Sequence, residues 1–316
     1  MSTPITHTTH SPALLSEVVE LLSLNAGDRC VDATLGDGGH AAALLEATAP
    51  DGMLLGIDAD PQALERAALR LEPFGDRVTL VNDNFSNLEN VLEAHRFRPV
   101  SSVVMDLGLS SWQLESAERG FSFRDVTPLD MRLGPTQAVT ASDIVNTSSE
   151  VDLTQLLFEF GEEPRARRIA QSIVRRRPID TAQQLASVVE AVIPRRGRRI
   201  HPATRTFMAI RIAVNRELEN LESALHQAVR VLERGGRLAV IAYHSLEDRI
   251  VKRFIVRESR NCVCPPQQIE CACGHRATVK VLTRRVVRPS DEEVQGNPRI
   301  RSARLRACEA LGVSVN

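Results

Sequence analysis

Lysine is nearly missing from this chain. Of its 39 basic residues only Lys252 and Lys280 are lysine, and the other 37 are arginine. Tryptophan and tyrosine occur once each, as Trp112 and Tyr243, so few large aromatic side chains are present to grip a planar ligand. No apolar run approaches the roughly 20 residues that a membrane-crossing helix needs, which excludes a helical membrane protein. The opening "MSTPITHTTHSP" has neither a basic start nor an apolar middle, so no signal peptide is expected and the expected location is the cytoplasm. Six cysteines in 316 residues do not make a disulfide scaffold. The length leaves room for two folded domains at ~150 residues each, with ample core.

The net charge of −1 hides an asymmetry. Between Pro164 and Arg216 there are thirteen arginines against Asp180 and Glu190, a local net of +11, which leaves the rest of the chain near −12. Codon preference explains why arginine replaces lysine but not why it clusters. Blocks such as "RRRP" (Arg175 to Pro178) and "RRGRR" (Arg195 to Arg199) suit bidentate phosphate contacts, so a nucleic-acid partner is favoured over a merely solvated helix face.

The first hundred residues alternate strand and helix. "RCVDAT" from Arg29, "GMLLGIDAD" from Gly52, "RVTLVND" from Arg77 and "SSVVMDLG" from Ser101 read as short buried strands. "SPALLSEVVELL" precedes them as an amphipathic helix, "GHAAALLEA" follows the first strand, and Pro61 opens "PQALERAALRLE" after the second, with Asp60 placed to cap it. Apolar strands spaced by helices of about ten residues imply a parallel sheet covered on both faces. From about Thr127 to Asn215 only helical patterns occur. Then "ELENLESALHQAVRVL" forms a long helix ended by "RGG", "RLAVIAY" resumes the sheet, "LEDRIVKRFIV" is another helix, and "VKVLTR" and "RSARLRAC" close as a strand pair. The chain therefore reads as one α/β domain, residues 1–126 and 216–316, interrupted by a basic helical insertion at 127–215 that is the expected RNA contact.

"VDATLGDGGH" (Val31 to His40) crowds three glycines into a strand-to-helix turn, where bare backbone can approach a ligand. Asp58, ending the second strand, is placed to accept ribose hydroxyls. Asp83 or Asn84 could read an adenine edge, with Phe85 covering its face. Two ligands fit this pattern. Gly36, Gly38 and Ala41 satisfy a loosened dinucleotide motif, so NAD and an oxidoreductase remain open. S-adenosylmethionine fits equally, with its ammonium drawn to a carboxylate such as Asp32. A non-catalytic RNA- or ribosome-binding protein on an old nucleotide fold is the third reading.

The segment beyond the fourth strand separates them. "DLGLSSWQLESAERGFSF" (Asp106 to Phe123) and "PLDMRL" (Pro128 to Leu133) closely resemble the bacterial MraW-type family, as do "HSPALLSEVVELL", "GIDADP", "DNFSNL", "RTFMAIRIAVNRELENLE", "RLAVIAYHSLEDRIVKRF" and "NPRIRSARLRA", in that family's order. The start "HSPAL" departs slightly from the expected H-x-P-V-L. The resemblance implies a class I (Rossmann-like) methyltransferase, doubly wound around a mostly parallel sheet. It implies S-adenosylmethionine as the methyl donor and the N4 amine of a 16S rRNA cytidine in the decoding centre as the acceptor. It further implies cofactor contacts at Gly38, Gly39, His40, Asp58, Phe85, Asp106 and Gln113. The partner is then 16S rRNA within the small subunit, with no membrane. The sequence does not set the oligomeric state, and a homodimer is compatible with it.

Cytosine's exocyclic amine is a poor nucleophile, because its lone pair is shared with the ring. Catalysis must align it and accept its proton. Asp106, Ser110, Ser111 and the carbonyls of Leu107 to Leu109 are the acceptors just past the fourth strand. Amine-methylating DNA enzymes often carry Asp/Ser/Asn-Pro-Pro-Tyr here. This chain has no such prolines, so Asp106 and Ser110 are catalytic candidates on position alone. Trp112, Phe121, Phe123 and Tyr243 are the rings available to stack on a flipped base, and His244 is a polar neighbour of a structural type. Cys262, Cys264, Cys271 and Cys273 offer four thiolates at C-x-C spacing where zinc sites usually show C-x-x-C. Methyl transfer needs no metal, and none is assigned to the site.

Overall fold

The computed structural model describes residues 12–110, 112–113, 119–123, 126–135, 137–195, 197, 201–268 and 270–312. Helix α1 (Leu15–Leu22) leads into β1 (Arg29–Asp32), α2 (Gly39–Ala47), β2 (Met53–Asp58), α3 (Pro61–Leu71), β3 (Val78–Asn82), α4 (Leu88–Ala94) and β4 (Val100–Asp106). Among the described residues the chain continues with α5 (Ala141–Thr147), α6 (Glu150–Glu159), α7 (Ala166–Arg175), α8 (Ala182–Val192) and α9 (Thr204–Asn215). The chain closes with α10 (Glu217–Val231), β5 (Leu232–Ala242), α11 (Ser245–Glu258), β6 (Val279–Val281), α12 (Asp291–Gly296) and β7 (Arg304–Ala310). Among the described residues no helix is long and apolar enough to cross a membrane.

The seven strands lie in the order β3-β2-β1-β4-β5-β7-β6, with β7 antiparallel to both of its neighbours and the others parallel. This is the doubly wound, Rossmann-like α/β arrangement that the sequence leads one to expect. The central strands are continuous apolar runs because helices cover both faces. Period-two alternation still sorts their side chains. Val31, Leu55, Ile57, Val103, Met105 and Val240 join one core, beside Leu221 and Leu225 of α10 and Phe254 of α11. Cys30, Leu54, Val104, Ala239 and Ile241 join the other, beside α1, α2 and α3. As expected, the Asp60 carboxylate caps α3 by accepting from the Gln62 N–H, with Pro61 at the first helical position.

Helix α10 ends at Val231, and the chain passes directly into β5. "RGG" acts within that strand as an interruption of register, with Leu232 opposite Val100 and Arg237 opposite Ser102.

The second compact unit runs from Leu109 to Glu219, so it begins earlier than the 127 read from helical periodicity. The reason is tertiary. Phe121, Leu129 and Met131 are buried in the helical core with Val145, Leu157, Ile173 and Phe207. Pro128 bridges to Thr181, and Asn215 both donates to the Met131 carbonyl and accepts from the Leu133 N–H. These are irregular segments, so no helical period reveals that they belong with the helices.

Candidate active site

In a doubly wound sheet, ligands bind beyond the carboxyl ends of the strands where the strand order reverses. Here β1 lies between β2 and β4. The strand ends there carry Asp32, Asp58 and Asp106, and Tyr243 follows β5.

The glycine turn is built for more than one reason. Gly36 has φ of 52°, and a Cβ there would meet no atom closer than the Thr34 carbonyl oxygen at 4.0 Å, so its outer face is open. Its N–H donates to Asp58 Oδ2 at 2.8 Å. Gly39 differs: a Cβ there would stand 2.4 Å from Pro12 Cγ, so internal packing, not a ligand, excludes a side chain. Gly38 is the left-handed cap before α2, and no side chain caps that helix. The first N–H groups of α2 thus face the turn with the positive end of the helix dipole. The loop's other acid, Asp37, pairs at the surface with Arg66 Nε at 2.7 Å.

Asp58 is committed on both oxygens, because Oδ1 accepts from the Asp60 N–H at 2.9 Å while Oδ2 holds Gly36. Burial pushes its carboxyl up, and these two backbone donors oppose the shift. After β3, Asp83 Oδ1 accepts from the Asn84 N–H and Asn87 Nδ2, and Asn84 accepts from the Ser86 N–H. Those bonds fix the turn that presents half-buried Phe85, which packs against the first core.

Asp106 is the hub. Its N–H donates to Thr34 Oγ1 at 2.6 Å, and the Tyr243 hydroxyl donates to its Oδ1 at 3.0 Å. The Nε2 of buried His40 stands 3.5 Å from its Oδ2. Neither ring nitrogen of His40 makes a hydrogen bond of good geometry with the protein, so a buried imidazole remains with polar atoms unmet. Burial disfavours charge on that ring, but Asp106 and Asp32 outweigh it and hold its pKa above the ordinary value. Asp32 is sealed from solvent, and burial pushes its carboxyl up to about 7 against the pull of His40. Its Oδ1 accepts from the Thr34 N–H at 3.2 Å. Tyr243 is likewise raised, by burial and then by the Asp106 charge, so it stays a donor.

The remaining expectations divide. Ser110 and Gln113 lie in the second unit and are tied to each other: the Ser110 N–H donates to Gln113 Oε1 at 3.0 Å, and the Gln113 N–H donates to Ser110 Oγ at 3.2 Å. Ser111 is outside the described residues. Phe121 is a core residue of the helical unit, and Phe123 stacks on His201 with ring centroids 4.1 Å apart. Both rings are used by packing within their unit. Arg119 covers the Trp112 ring at 5.6 Å. His244 is structural, as expected: its Nδ1 accepts from the Glu247 N–H to cap α11. Periodicity and motif spacing did not indicate Thr34 or the Tyr243–Asp106 bond. Their only sequence signal is position at a strand's carboxyl end.

The arginine block is only partly available for a partner. Arg177 donates through Nε to the Val145 carbonyl at 2.8 Å, and Arg211 forms a two-bond pair with Glu217 at 2.8 Å for each bond. Arg167, Arg168 and Arg175 are exposed on α7, opposite its buried Ile169 and Ile173. Arg196, Arg198 and Arg199 lie outside the described residues.

Residues 7–311 match the model of the MraW methylase family. A Thermomicrobium roseum protein named ribosomal RNA small subunit methyltransferase H is 52% identical over 307 residues, covering 96% of this chain and 94% of that protein. A Dehalococcoides mccartyi protein of the same name is 51% identical over 302 residues, covering 96% and 86%. A solved rRNA methylase from Streptococcus thermophilus aligns with 94% of this chain and 94% of that one, at 14% identity and a TM-score of 0.42.

Proposed function

The chain belongs to the MraW methylase family, and on that premise we propose that it methylates the N4 amine of a cytidine in the decoding centre, the P site, of 16S rRNA. It is an S-adenosylmethionine-dependent rRNA methyltransferase, which sets aside the nicotinamide reading of the glycine turn. The substrate is rRNA in the context of the small subunit.

The observation that carries the site is the carboxylate constellation around an open glycine turn. A buried imidazole with unmet polar atoms, an uncapped helix start and a face at Gly36 that no atom fills suit a polar, partly cationic nucleoside. When bound, S-adenosylmethionine supplies a methyl group activated by its sulfonium. Gly36, Gly38, Gly39, His40, Asp58 and Phe85 of the sheet unit would hold it, and Gln113 joins them by the family resemblance. Asp58 locks the Gly36 N–H and so sets the path of the turn. Asp106 is the proposed proton acceptor for the cytosine amine. Tyr243 orients one of its oxygens, and His40 balances the charge near the other. Ser110 is the second proposed acceptor.

The test is incubation of the purified chain with labelled S-adenosylmethionine and small subunits that lack their native methylation, followed by nucleoside mass spectrometry. N4-methylcytidine from the P-site segment is expected. Label in another nucleoside, or none while the cofactor binds, would overturn the reading. The second outcome would restore the non-catalytic alternative.

A pH dependence arises from Asp32. Its raised pKa means that part of the folded population holds a proton that the unfolded chain has lost, so the group costs stability as pH rises from about 4 towards about 7. A bound cation favours the ionised form. Cofactor affinity should therefore rise by up to roughly tenfold between about pH 6 and about pH 8 and then level off. His40 losing its proton pushes the same way, and Asp58 and Asp106 face the same ligand. Calorimetry on the parent and on Asp32→Asn, which should flatten the profile, checks this.

The helical unit is the proposed RNA contact. Arg167→Glu with Arg168→Glu should weaken RNA binding and lower its salt slope by about 0.7 per lost phosphate contact on single-stranded RNA. Filter binding over a salt series measures both, and an unaltered slope would remove α7 from the interface. Arg195→Glu with Arg196→Glu carries the same expectation for the second arginine block.

A further inference from the structure

Methyl transfer leaves one chemically distinctive cluster unused. Between α11 and β6 the chain runs from Arg260 to Thr278 without helix or strand among its described residues. A connection of that length with no regular structure is uncommon in a compact domain and needs something to hold it. Few apolar side chains are present to do so: the segment is "RNCVCPPQQIECACGHRAT", and most of its described residues are exposed.

The four cysteines of this segment come together. The sulfur atoms of Cys262, Cys264, Cys271 and Cys273 all lie within 4.8 Å of one another. Cys271 and Cys273 are 3.6 Å apart, and Cys273 and Cys262 are 3.8 Å apart. A zinc–thiolate bond of about 2.3 Å in a tetrahedron sets neighbouring sulfurs about 3.8 Å from each other. The cluster thus has the size of a single tetrahedral ion, whereas an iron–sulfur cluster would place some of its thiolates farther apart. We infer that Cys262, Cys264, Cys271 and Cys273 form a structural zinc site with four thiolate ligands.

The local sequence explains how C-x-C pairs converge without the usual C-x-x-C turn. Pro265 and Pro266 follow the first pair, and the Gln268 N–H closes a turn onto the Pro265 carbonyl at 3.0 Å. Gly274 follows the second pair with φ of 61°, a conformation that glycine adopts at no steric cost. Backbone donors already face the sulfurs: the Val263 N–H donates to Cys273 Sγ at 3.5 Å and the Cys264 N–H to Cys262 Sγ at 3.4 Å. Such donors are the outer partners that disperse charge from bound thiolates. The stem is held independently, by the Thr278 N–H on the Glu258 carbonyl at 2.8 Å and by the His275 ring against the Arg257 carbonyl at 3.2 Å. Ligand identity, ligand number, spacing, outer partners and an exposed approach for the ion agree. With four protein ligands no coordination position stays open, so the ion is structural and takes no part in methyl transfer.

The test is elemental analysis of the full chain, purified under reducing conditions and passed over a chelating resin. About one zinc per chain is expected, falling below about a tenth in the Cys264→Ser/Cys271→Ser variant. Cobalt added to metal-stripped protein should give the strong visible bands of a tetrahedral tetrathiolate ion. These measurements do not depend on enzymatic activity, and the parent protein decides the matter even if the variant folds poorly. Zinc far below one per chain, iron in its place, unchanged zinc in the variant, or an octahedral cobalt spectrum would each overturn the site.

Discussion

Asp58→Ala should lower S-adenosylmethionine affinity about 100-fold, a loss of about 2.7 kcal/mol. The substitution removes the acceptor for the proposed ribose contact and also releases the backbone. The Gly36 and Asp60 N–H groups both donate to this carboxylate, at 2.8 and 2.9 Å. Hydrogen bonds to a charged group are worth about 1.5–3 kcal/mol each, and unmet donors cost in addition. The glycine turn would lose its anchor before any ligand arrives, so thermal stability should fall too. Asp58→Asn separates the two effects. Its amide oxygen can keep one backbone donor, so stability should largely recover, whereas affinity should stay at least tenfold below the parent because the charge is gone. Calorimetry reads affinity and a melting curve reads stability. Parent-like affinity in both variants would move the ribose elsewhere.

Asp106→Asn carries the second large effect. The turnover rate should fall about 1,000-fold, within the usual span for loss of a positioned acid–base group. Single-turnover kinetics at saturating cofactor and subunit isolates that step. The partners of this carboxylate set its role. Tyr243 donates to one oxygen and His40 stands by the other, so the group is oriented on one side and charge-balanced on the other. Tyr243→Phe removes the orienting donor while leaving the acceptor, and should cost about tenfold in the same assay, as a positioning residue does. Shape alone does not explain such a ranking, since each substitution nearly conserves the side chain's volume. A rate within tenfold of the parent for Asp106→Asn would transfer the proton-accepting role to Ser110 or to the carbonyls beyond β4.

Much of the sheet unit was legible in the sequence. Its strands are short apolar runs, α3 starts at the Asp60–Pro61 signal, and the closing pair of β6 and β7 corresponds to two runs at the end. That Asp58 and Asp106 share one edge of the sheet was legible, because parallel strands all end on that edge and an acid at the end of each gathers there. The glycine turn was only half legible. Its composition marked a turn of close approach, but it is packing against Pro12 that requires Gly39, while Gly36 alone of the three leaves an open face.

Residue order along the chain therefore decided the elements, the edge at which the acids collect and the basic character of the helical unit. These depend on period, capping and charge, which act over a few residues. The fold decided which of those groups meet. Tyr243 reaches Asp106 across 137 positions, Arg177 and Arg211 are drawn into their own unit, and four cysteines converge on the volume of one ion. Contacts of that range depend on strand order and on how turns aim their flanking chains, and neither leaves a local trace in the pattern of side chains.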